Sequence, residues 1–497
     1  MVLKILNRLF VCLLLSLSCF NIPLISCANA QTTAATTTKT NTINTRSGSS
    51  FVLPDLGTGS NGRFIDHAPL RRMGENVWMH LQKESAWLED PIVISYLTHL
   101  VQQLAGYSPS PVSIRGIGVL NDSSINAFAM PGGFIVIHTG LLLKVETEDE
   151  LASVLAHEIA HLSQAHIDRL WETQEKSQWG VLAAVLLGIY SGSTGNIDTA
   201  NALITSGIGA GTQQQVQHSQ QAESEADDVG LDILTAAGFN PMGSVRMMDR
   251  LARQRTEDVN SRYSATHPLS SERVRRLRDR TLGLRSATSP DLQKTNANWL
   301  MSFSEVQSYT KEMLAQQSNP AIASNSCADW NPSKSFLATW QAAQCLLLHQ
   351  PERNQDDSPE LLQLEQSLKT YYKNTPSFLI AQPLAQLLKQ QGKLQEALKI
   401  VDQTIQIETQ TGQLMTQAQS WWLRAQLIDK SPTEQRIAIT RSYLARLDCA
   451  AAQEQLKLIN QTLPKQAKNA SVETSTQIKL DLNATTQQIS IQCSKSE

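Results

Sequence analysis

The chain has 497 residues, which is too long for a single hydrophobic core, because single domains run to roughly 100–200 residues. Its 42 Lys and Arg residues nearly balance its 45 Asp and Glu residues, which gives a formal net charge of -3. Without a long acidic or basic run, the sequence shows no electrostatic surface for nucleic acid. We therefore expect two folded domains with tails, and no nucleic-acid partner.

The first 30 residues have the layout of a secretory signal peptide, with a basic start, an apolar run and small residues that end at Ala30. This layout predicts export, with cleavage before Gln31. The sequence Leu-Ile-Ser-Cys that ends at Cys27 fits bacterial lipoprotein processing, so a lipid anchor on Cys27 is the alternative. A transmembrane helix fits less well, because Asn21 and Pro23 interrupt the apolar run before it can span a bilayer.

If the protein is exported, the cysteines beyond this segment can form disulfides, because an exported protein reaches an oxidising compartment. They are Cys327, Cys345, Cys449 and Cys493. We interpret them as disulfide candidates, and four cysteines allow three pairings among which the sequence does not choose. For Cys345, inside the apolar run QAAQCLLL, a free buried thiol is the alternative.

Changes in composition divide the rest of the chain. Residues 31–62 are rich in Thr, Asn, Ser and Gly, which predicts a flexible linker. Residues 63–285 have a globular pattern, and 286–300 are interpreted as a connection. Residues 301–465 are rich in Gln, Leu and Ala and predict a second, helical domain, with 466–497 as a C-terminal tail tied down by its cysteine.

In the globular region the hydrophobic periodicity predicts two helices and then two strands. They cover residues 68–84, 91–105, 112–120 and 132–143. A long helix follows, and Thr147 with Glu150 three residues later marks its start as a capping box. The turn Pro131-Gly132-Gly133 precedes the second strand, which could hold an extended substrate by main-chain pairing if it lay at a sheet edge. An ordinary core strand is the alternative, because edge position cannot be read from sequence.

The long helix carries His157-Glu158-Ile159-Ala160-His161. Histidines four residues apart lie one turn apart on the same helix face and can share one tetrahedral zinc ion. Glu158 lies beside the metal, where it can take a proton from a water whose pKa zinc lowers to about 7. This motif predicts one zinc ion per chain and a hydrolytic site, rather than two histidines buried in a core.

His166 follows this motif, nine residues after His157. On a continuous helix it would lie about half a turn away and face elsewhere, so we expect a structural role. A metzincin would need glycine at position 164 and histidine at 167, where this chain has Gln164 and Ile167. That class of metalloprotease is therefore excluded.

An apolar segment, residues 179–211, separates the histidine motif from the next acidic cluster. Its apolar runs are short and interrupted by glycine, which favours a lid or a surface-seeking segment over a transmembrane hairpin. The pattern then predicts a helix over about 214–237 that stops at Gly238, with Pro241 just beyond.

The third zinc ligand should come from this helix. Its acidic residues are Glu223, Glu225, Asp227 and Asp228. Glu223 and Asp227 share one face, so we predict Glu223 as the ligand and Asp227 as the acid that holds a liganding imidazole through its other nitrogen or passes a proton. For Glu225 and Asp228 we expect a solvated helix face.

His267 lies farther along the chain, in SATHPLSSER, before Pro268. We hypothesise that it visits the open position of the zinc or stabilises the oxyanion, because a hydrolytic site needs a donor beside the metal. An idle loop histidine is the alternative. Arg273 is expected to support this loop through a salt bridge rather than to touch substrate.

In the C-terminal region, residues 381–405 have the helix, glycine turn, helix layout of a tetratricopeptide unit, with Gly392 at the turn. The helix pair over 420–459 matches that unit poorly. A tetratricopeptide-like domain is the favoured prediction, and an ordinary helical bundle is the alternative.

Together the motifs resemble the zinc endopeptidases grouped with the CAAX prenyl proteases. The resemblance rests on HEIAH, on the E-x-x-x-D helix, on NAFAMPGGFIVIHTGLL before them and on THPLSSER after them, and it covers about residues 110–275. It implies zinc bound by His157, His161 and Glu223. In a periplasmic branch of the family, an exported catalytic domain precedes tetratricopeptide repeats, the order predicted for this chain.

The same resemblance implies that Glu158 is the base and Asp227 the partner acid, often described as a proton donor. The expected fold class is mainly α: a zincin-like α+β metalloprotease domain with a small sheet, followed by an all-α tetratricopeptide-like helical repeat domain. The weak repeats leave the partner surface less defined than the chemistry.

The leading functional hypothesis is an exported zinc endopeptidase of a Gram-negative periplasm, peripherally membrane-associated or lipid-anchored, that hydrolyses misfolded or misassembled outer-membrane β-barrel proteins. Its helical domain would deliver substrates or dock on the β-barrel assembly machinery. The alternative is a periplasmic chaperone or adaptor with a latched zinc site. Processing of prenylated proteins fits poorly, because export and the lack of convincing membrane spans argue against it.

Overall fold

The structure is a computed structural model. It describes residues 68–83, 86–173, 213–257, 263, 267, 269–285, 299–318, 335–349, 359–428, 431–466 and 472–493. The predicted signal peptide, the linker over 31–62 and the apolar segment over 179–211 lie outside the described residues.

Eight described helices and three strands make up the chain as far as Arg285. The helices are α1 Ala68–Gln82, α2 Pro91–Ala105, α3 Thr139–Lys144, α4 Glu148–Ser163, α5 His166–Thr173, α6 Gln213–Ala236, α7 Met242–Glu257 and α8 Ser271–Arg285. The strands are β1 Gly116–Leu120, β2 Ala127–Met130 and β3 Phe134–His138.

Only helices are described in the rest of the chain. They are α9 Phe303–Ser318, α10 Phe336–His349, α11 Pro359–Asn374, α12 Phe378–Gln390, α13 Leu394–Thr411, α14 Leu414–Leu427, α15 Pro432–Ala445, α16 Cys449–Gln466 and α17 Val472–Cys493. The predicted fold class, mainly α with a small sheet followed by a helical region, is confirmed. Within the described ranges, no helix has the length and apolar character needed to cross a membrane.

The sheet has the strand order β1-β3-β2, with β1 parallel and β2 antiparallel to β3. The strand after the Pro131-Gly132-Gly133 turn is therefore central, and the prediction that it could offer a free edge is wrong. The free edge is β2. On the far side, Trp87 forms a bridge to Leu120 and covers part of β1.

The second predicted strand is also shorter than expected, because β3 ends at His138 and α3 begins at Thr139. The consecutive residues Leu141 and Leu142 are both fully buried. In a continued strand they would lie on opposite sides of the sheet, since neighbouring side chains of a strand face opposite ways. A helical turn lets both enter the core.

Helix α4 begins as the capping signal predicts, with the Thr147 hydroxyl accepting from the Glu150 N–H at 3.3 Å. The reciprocal bond of a capping box does not form, because the Glu150 carboxylate accepts from the N–H of Glu146 at 2.9 Å. Glu150 is fully buried, and Arg246 and Arg250 of α7 lie 3.4 and 3.3 Å from its oxygens. These ion pairs hold α7 against the first turn of α4.

In the helical region, α12 and α13 form the predicted hairpin, with Gly392 at the turn in a left-handed conformation (φ 74°). Residues 472–493 form α17 rather than an extended tail, and a disulfide between Cys493 and Cys449 joins the end of α17 to the start of α16. Cys345 is also disulfide-bonded, so the alternative of a free thiol there is wrong.

Candidate metal centre

Four side chains converge on one point: His157 and His161 from α4, Glu223 from α6, and His267. Each offers one ligand atom, and these atoms all lie within 4.8 Å of one another. The Nε2 atoms of His157 and His161 are 3.1 Å apart, and each lies 3.4–3.5 Å from a carboxylate oxygen of Glu223. The structure thus brings together the predicted ligands and the predicted loop histidine.

Close packing of α6 against α4 puts Glu223 beside the histidines. At the contact point α6 has Gly230, where an added Cβ would lie only 3.1 Å from the N and Cα atoms of His157. A larger residue would therefore push the two helices apart. Helix α4 packs into the hydrophobic core through residues such as Leu151, Leu155 and Ile159, all fully buried.

The donor set fits zinc, which proteins bind through histidine nitrogens and carboxylate oxygens. The Nδ1 atom of each α4 histidine already has a hydrogen-bond partner, Asp227 for His157 and His166 for His161. If these Nδ1 atoms carry the protons, both Nε2 atoms present lone pairs toward the same point. A cation at that point satisfies both nitrogens together with the Glu223 carboxylate.

His157 is held from behind by Asp227, whose Oδ1 lies 3.2 Å from Nδ1 of His157. Burial alone would lower the pKa of His157, but contacts with Asp227 and Glu223 outweigh it and raise the pKa to about 10. Burial alone would raise the pKa of Asp227, but hydrogen bonds from Arg273 and His157 hold it below its usual range. Asp227 therefore stays ionised and keeps His157 oriented.

Arg273 forms the salt bridge that was expected of it, but within the centre rather than along its own loop. Its Nε and Nη2 atoms donate to the two oxygens of Asp227 at 2.8 and 2.9 Å. Its Nη1 atom lies 2.9 Å from Oε2 of Glu223. One guanidinium thus pairs with both buried acids and fixes their directions.

His166 does not face away from the centre, and that part of the prediction is wrong. Its Nδ1 atom lies 2.9 Å from Nδ1 of His161, and its Nε2 atom lies 3.3 Å from Oε2 of Glu225. His166 does not lie half a turn from His157, because α4 ends at Ser163 and does not continue to His166. The next helix starts again after Ala165, whose positive φ of 50° redirects the chain.

The two acids expected on a solvated face are half-buried and paired. Glu225 contacts Arg169 at 2.8 Å as well as His166. Asp228 pairs with Arg276 and, at 2.7 Å, with Arg280. These pairs depend on residues distant in sequence, which periodicity alone does not reveal.

Glu158 is almost fully buried and points to the free edge of the sheet. Its Oε2 atom accepts from the N–H of Ala129 in β2 at 3.0 Å. Its Oε1 atom has no hydrogen-bond partner among the described residues and lies 3.4 Å from Nε2 of His267. Burial raises the pKa of this carboxyl group, which makes it a better proton acceptor than an exposed glutamate.

His267 lies opposite the α4 histidines and closes the group. Its Nδ1 atom is 3.1 Å from Oε1 of Glu223 and 3.4 Å from Nε2 of His157. Tyr263, which sequence reasoning missed, stacks on His267 with ring centroids 4.6 Å apart, and its carbonyl accepts the His267 N–H at 2.8 Å. Spacing of four residues was the one available signal for this contact.

Residues 91–281 match the family model described as Peptidase family M48. The chain is 32% identical over 249 residues to the β-barrel assembly-enhancing protease of Escherichia coli (strain K12), covering 48% of each chain. It is also 31% identical over 158 residues to the metalloprotease LoiP of the same organism, covering 31% of this chain and 58% of LoiP.

The mitochondrial metalloendopeptidase OMA1 of Saccharomyces cerevisiae is a further relative, 32% identical over 166 residues that cover 32% of this chain and 44% of OMA1. The chain spans about half the length of the β-barrel assembly-enhancing protease that it matches. All four convergent side chains, His157, His161, Glu223 and His267, lie within the residues that match the family model. Residues 91–281 of this chain are thus similar to the metallopeptidases of family M48.

Proposed function

We propose that the chain is a zinc-dependent endopeptidase whose metal ligands are His157, His161 and Glu223. The observation that carries the proposal is the convergence of these three side chains beside Glu158, whose carboxylate has one oxygen without a hydrogen-bond partner among the described residues. The match to family M48 supports the same assignment. Zinc would supply a Lewis acid and lower the pKa of the attacking water.

In this proposal Glu158 is the general base. Its Oε2 atom is fixed by the Ala129 N–H, so Oε1 is left to take the proton of the attacking water. The raised pKa of Glu158 suits both acceptance of that proton and its later donation to the leaving amine. Asp227 acts by holding His157 in position, and its bonds to Arg273 keep it ionised.

His267 is proposed to stand at the fourth position around the metal in the arrangement observed. Its contacts with Glu223 and with Oε1 of Glu158 support a role for His267 as the group that a substrate carbonyl would displace. Cleavage then requires His267 to move aside, after which it can donate to the developing oxyanion.

Strand β2 is the proposed docking edge for an extended substrate. In the antiparallel ladder, the His138 N–H donates to the Asn126 carbonyl at 3.0 Å. The alternating residues Ala127 and Ala129 therefore direct their backbone groups outward. The Ala129 N–H already meets Glu158, so a substrate strand added along β2 would place its backbone beside the base.

Main-chain pairing selects for an extended, unfolded chain more than for particular side chains. The similarity to the β-barrel assembly-enhancing proteases supports substrates among misassembled outer-membrane β-barrel proteins. We therefore extend the proposal to quality control in the periplasm, with residues 1–30 as export signal. The helical region would deliver substrates or dock on the β-barrel assembly machinery.

One observation favours the second candidate function, a chaperone or adaptor with a latched site: His267 fills the group around the metal position. Incubating the chain with an unfolded outer-membrane barrel protein and with its folded form separates the two. The peptidase proposal expects degradation of the unfolded form alone, stopped by a chelator and restored by zinc. Prevention of aggregation without cleavage, preserved in Glu158→Gln, would favour the chaperone.

A further inference from the structure

The second zinc ligand of α4, His161, has its own supporting contacts, and they differ from those of His157. Nδ1 of His161 faces Nδ1 of His166 at 2.9 Å, and Nε2 of His166 faces Glu225 at 3.3 Å. Glu225 in turn pairs with Arg169 at 2.8 Å. A carboxylate thus reaches His161 through a second imidazole rather than directly.

One condition, which rests on the proposed function, decides which ring nitrogens of His161 and His166 carry protons. It is that Nε2 of His161 faces the metal. Nδ1 of His161 then carries the proton and donates it to Nδ1 of His166, which must accept. The remaining proton of a neutral His166 is on Nε2, where it points to the Glu225 carboxylate. Every donor along the line meets an acceptor.

We propose that His166 and Glu225 are positioning residues that fix the tautomer and ring direction of the metal ligand His161. Their role matches that of Asp227, which contacts the other histidine ligand, His157, directly. An arginine pairs with the acid in both cases, Arg273 with Asp227 and Arg169 with Glu225. Partners of this kind typically contribute about 10–100-fold to metal affinity.

The backbone supports this assignment over simple packing. Ala165 has a φ of 50°, a conformation that costs a residue with a Cβ roughly 1 kcal/mol or more. This turn ends one helix and starts the next within two residues, and it places His166 against His161. A side chain that only filled space would need neither the turn nor two aligned ring nitrogens.

The test measures zinc affinity of the purified full chain by competition with a chelator, without substrate. His166→Phe keeps an aromatic ring at this position but removes both ring nitrogens. This variant should bind zinc about 10–100-fold more weakly than the wild type. His166→Asn restores an acceptor near the position of Nδ1 and should recover part of that loss. Asp232→Asn is the matched control, because Asp232 is an exposed acid of the same helix as Glu225 and pairs with Arg280.

Zinc affinity of His166→Phe equal to that of the wild type would overturn the proposal. If this variant does not fold, Glu225→Ala serves instead, because Glu225 is half-exposed and alanine removes the group that accepts from His166 Nε2. It should weaken zinc binding, and an unchanged affinity would overturn the proposal. Substitution of cobalt for zinc gives a second readout, since a reoriented His161 changes the visible spectrum of the bound cobalt. The proposed function fails separately, if the zinc-saturated wild type cleaves no substrate whatever the affinities.

Discussion

Arg273 holds Asp227 with two hydrogen bonds, from Nε to Oδ2 at 2.8 Å and from Nη2 to Oδ1 at 2.9 Å. Its third nitrogen, Nη1, lies 2.9 Å from Glu223. All three side chains are buried, and both acids also lie beside His157. A single residue of α8 thereby orients a proposed metal ligand and the acid behind a second ligand.

Replacing Arg273 with Met should damage both stability and metal binding. Removing one partner of a buried ion pair typically costs about 3–5 kcal/mol, because the remaining charges lose their compensation. Urea denaturation of the zinc-free protein measures this loss. Arg275→Met on the same helix is the control, because its pair with Glu272 is exposed, is screened by solvent and should contribute little to stability. Equal stability of the two variants would contradict this account of Arg273.

The contact between α4 and α6 gives a second prediction. An alanine at position 230 would bring its Cβ to 3.1 Å from the His157 backbone and force the helices apart. We expect Gly230→Ala to lower the free energy of unfolding by about 1–3 kcal/mol and to weaken zinc binding. The control is Gly283→Ala in α8, where an added Cβ meets no atom within 4 Å. That change should stabilise the protein by up to about 1 kcal/mol, and a loss at both positions would argue against steric crowding at Gly230.

The sequence predicts much of this centre because its ligands follow helix geometry. His157 and His161 share a face through their spacing, and so do Glu223 and Asp227. The position of His166 could not be predicted in the same way, because it depends on the left-handed turn at Ala165, which is not a glycine. A periodicity argument holds only while the helix continues.

Strand order lay equally beyond the sequence. The run FIVIH is fully buried in the centre of the sheet, while the less apolar AFAM forms the edge that meets Glu158. Both runs fit a strand, and their places depend on which neighbours pair with them. The structure therefore brings the predicted ligands together, but the proposed substrate edge lies on the strand before the glycine turn.

A buried acid in the helical region, Glu408 of α13, predicts a pH dependence of stability. Burial raises its pKa from 4.5 to about 8, partly offset by the nearby hydroxyl groups of Ser420 and Thr416. The fold therefore prefers the neutral acid, so its contribution to stability is complete below pH 4.5 and is lost as the pH rises to about 8.

Glu408→Gln should remove this dependence. We expect the variant to match the wild type in free energy of unfolding at about pH 4.5 and to exceed it above about pH 8, by a few kcal/mol at most, since one pKa unit corresponds to about 1.4 kcal/mol. Chemical denaturation at both pH values measures the difference. Glu454→Gln, at an exposed site of α16, is the control. An advantage of Glu408→Gln that is the same at both pH values would contradict the prediction.

The disulfide between Cys449 and Cys493 closes a segment with a sequence separation of 44 residues. Replacing both cysteines with serine should destabilise α16 and α17 by about 2–4 kcal/mol, mainly because the unfolded chain gains freedom. Hydrogen exchange of the α17 backbone, compared between the wild type and the double variant under oxidising conditions, measures this loss. Protection that is equal in the wild type and the double variant would show that packing alone holds α17.

The central claim is that Glu158 acts as the base beside a zinc ion held by His157, His161 and Glu223. Its most direct test is the cleavage rate of an unfolded outer-membrane barrel protein by the wild type and by Glu158→Gln, with bound zinc quantified in both. The account predicts that the variant keeps one zinc per chain and loses about 10²–10⁴-fold in rate. Equal cleavage by the two proteins, with zinc bound in both, would contradict it.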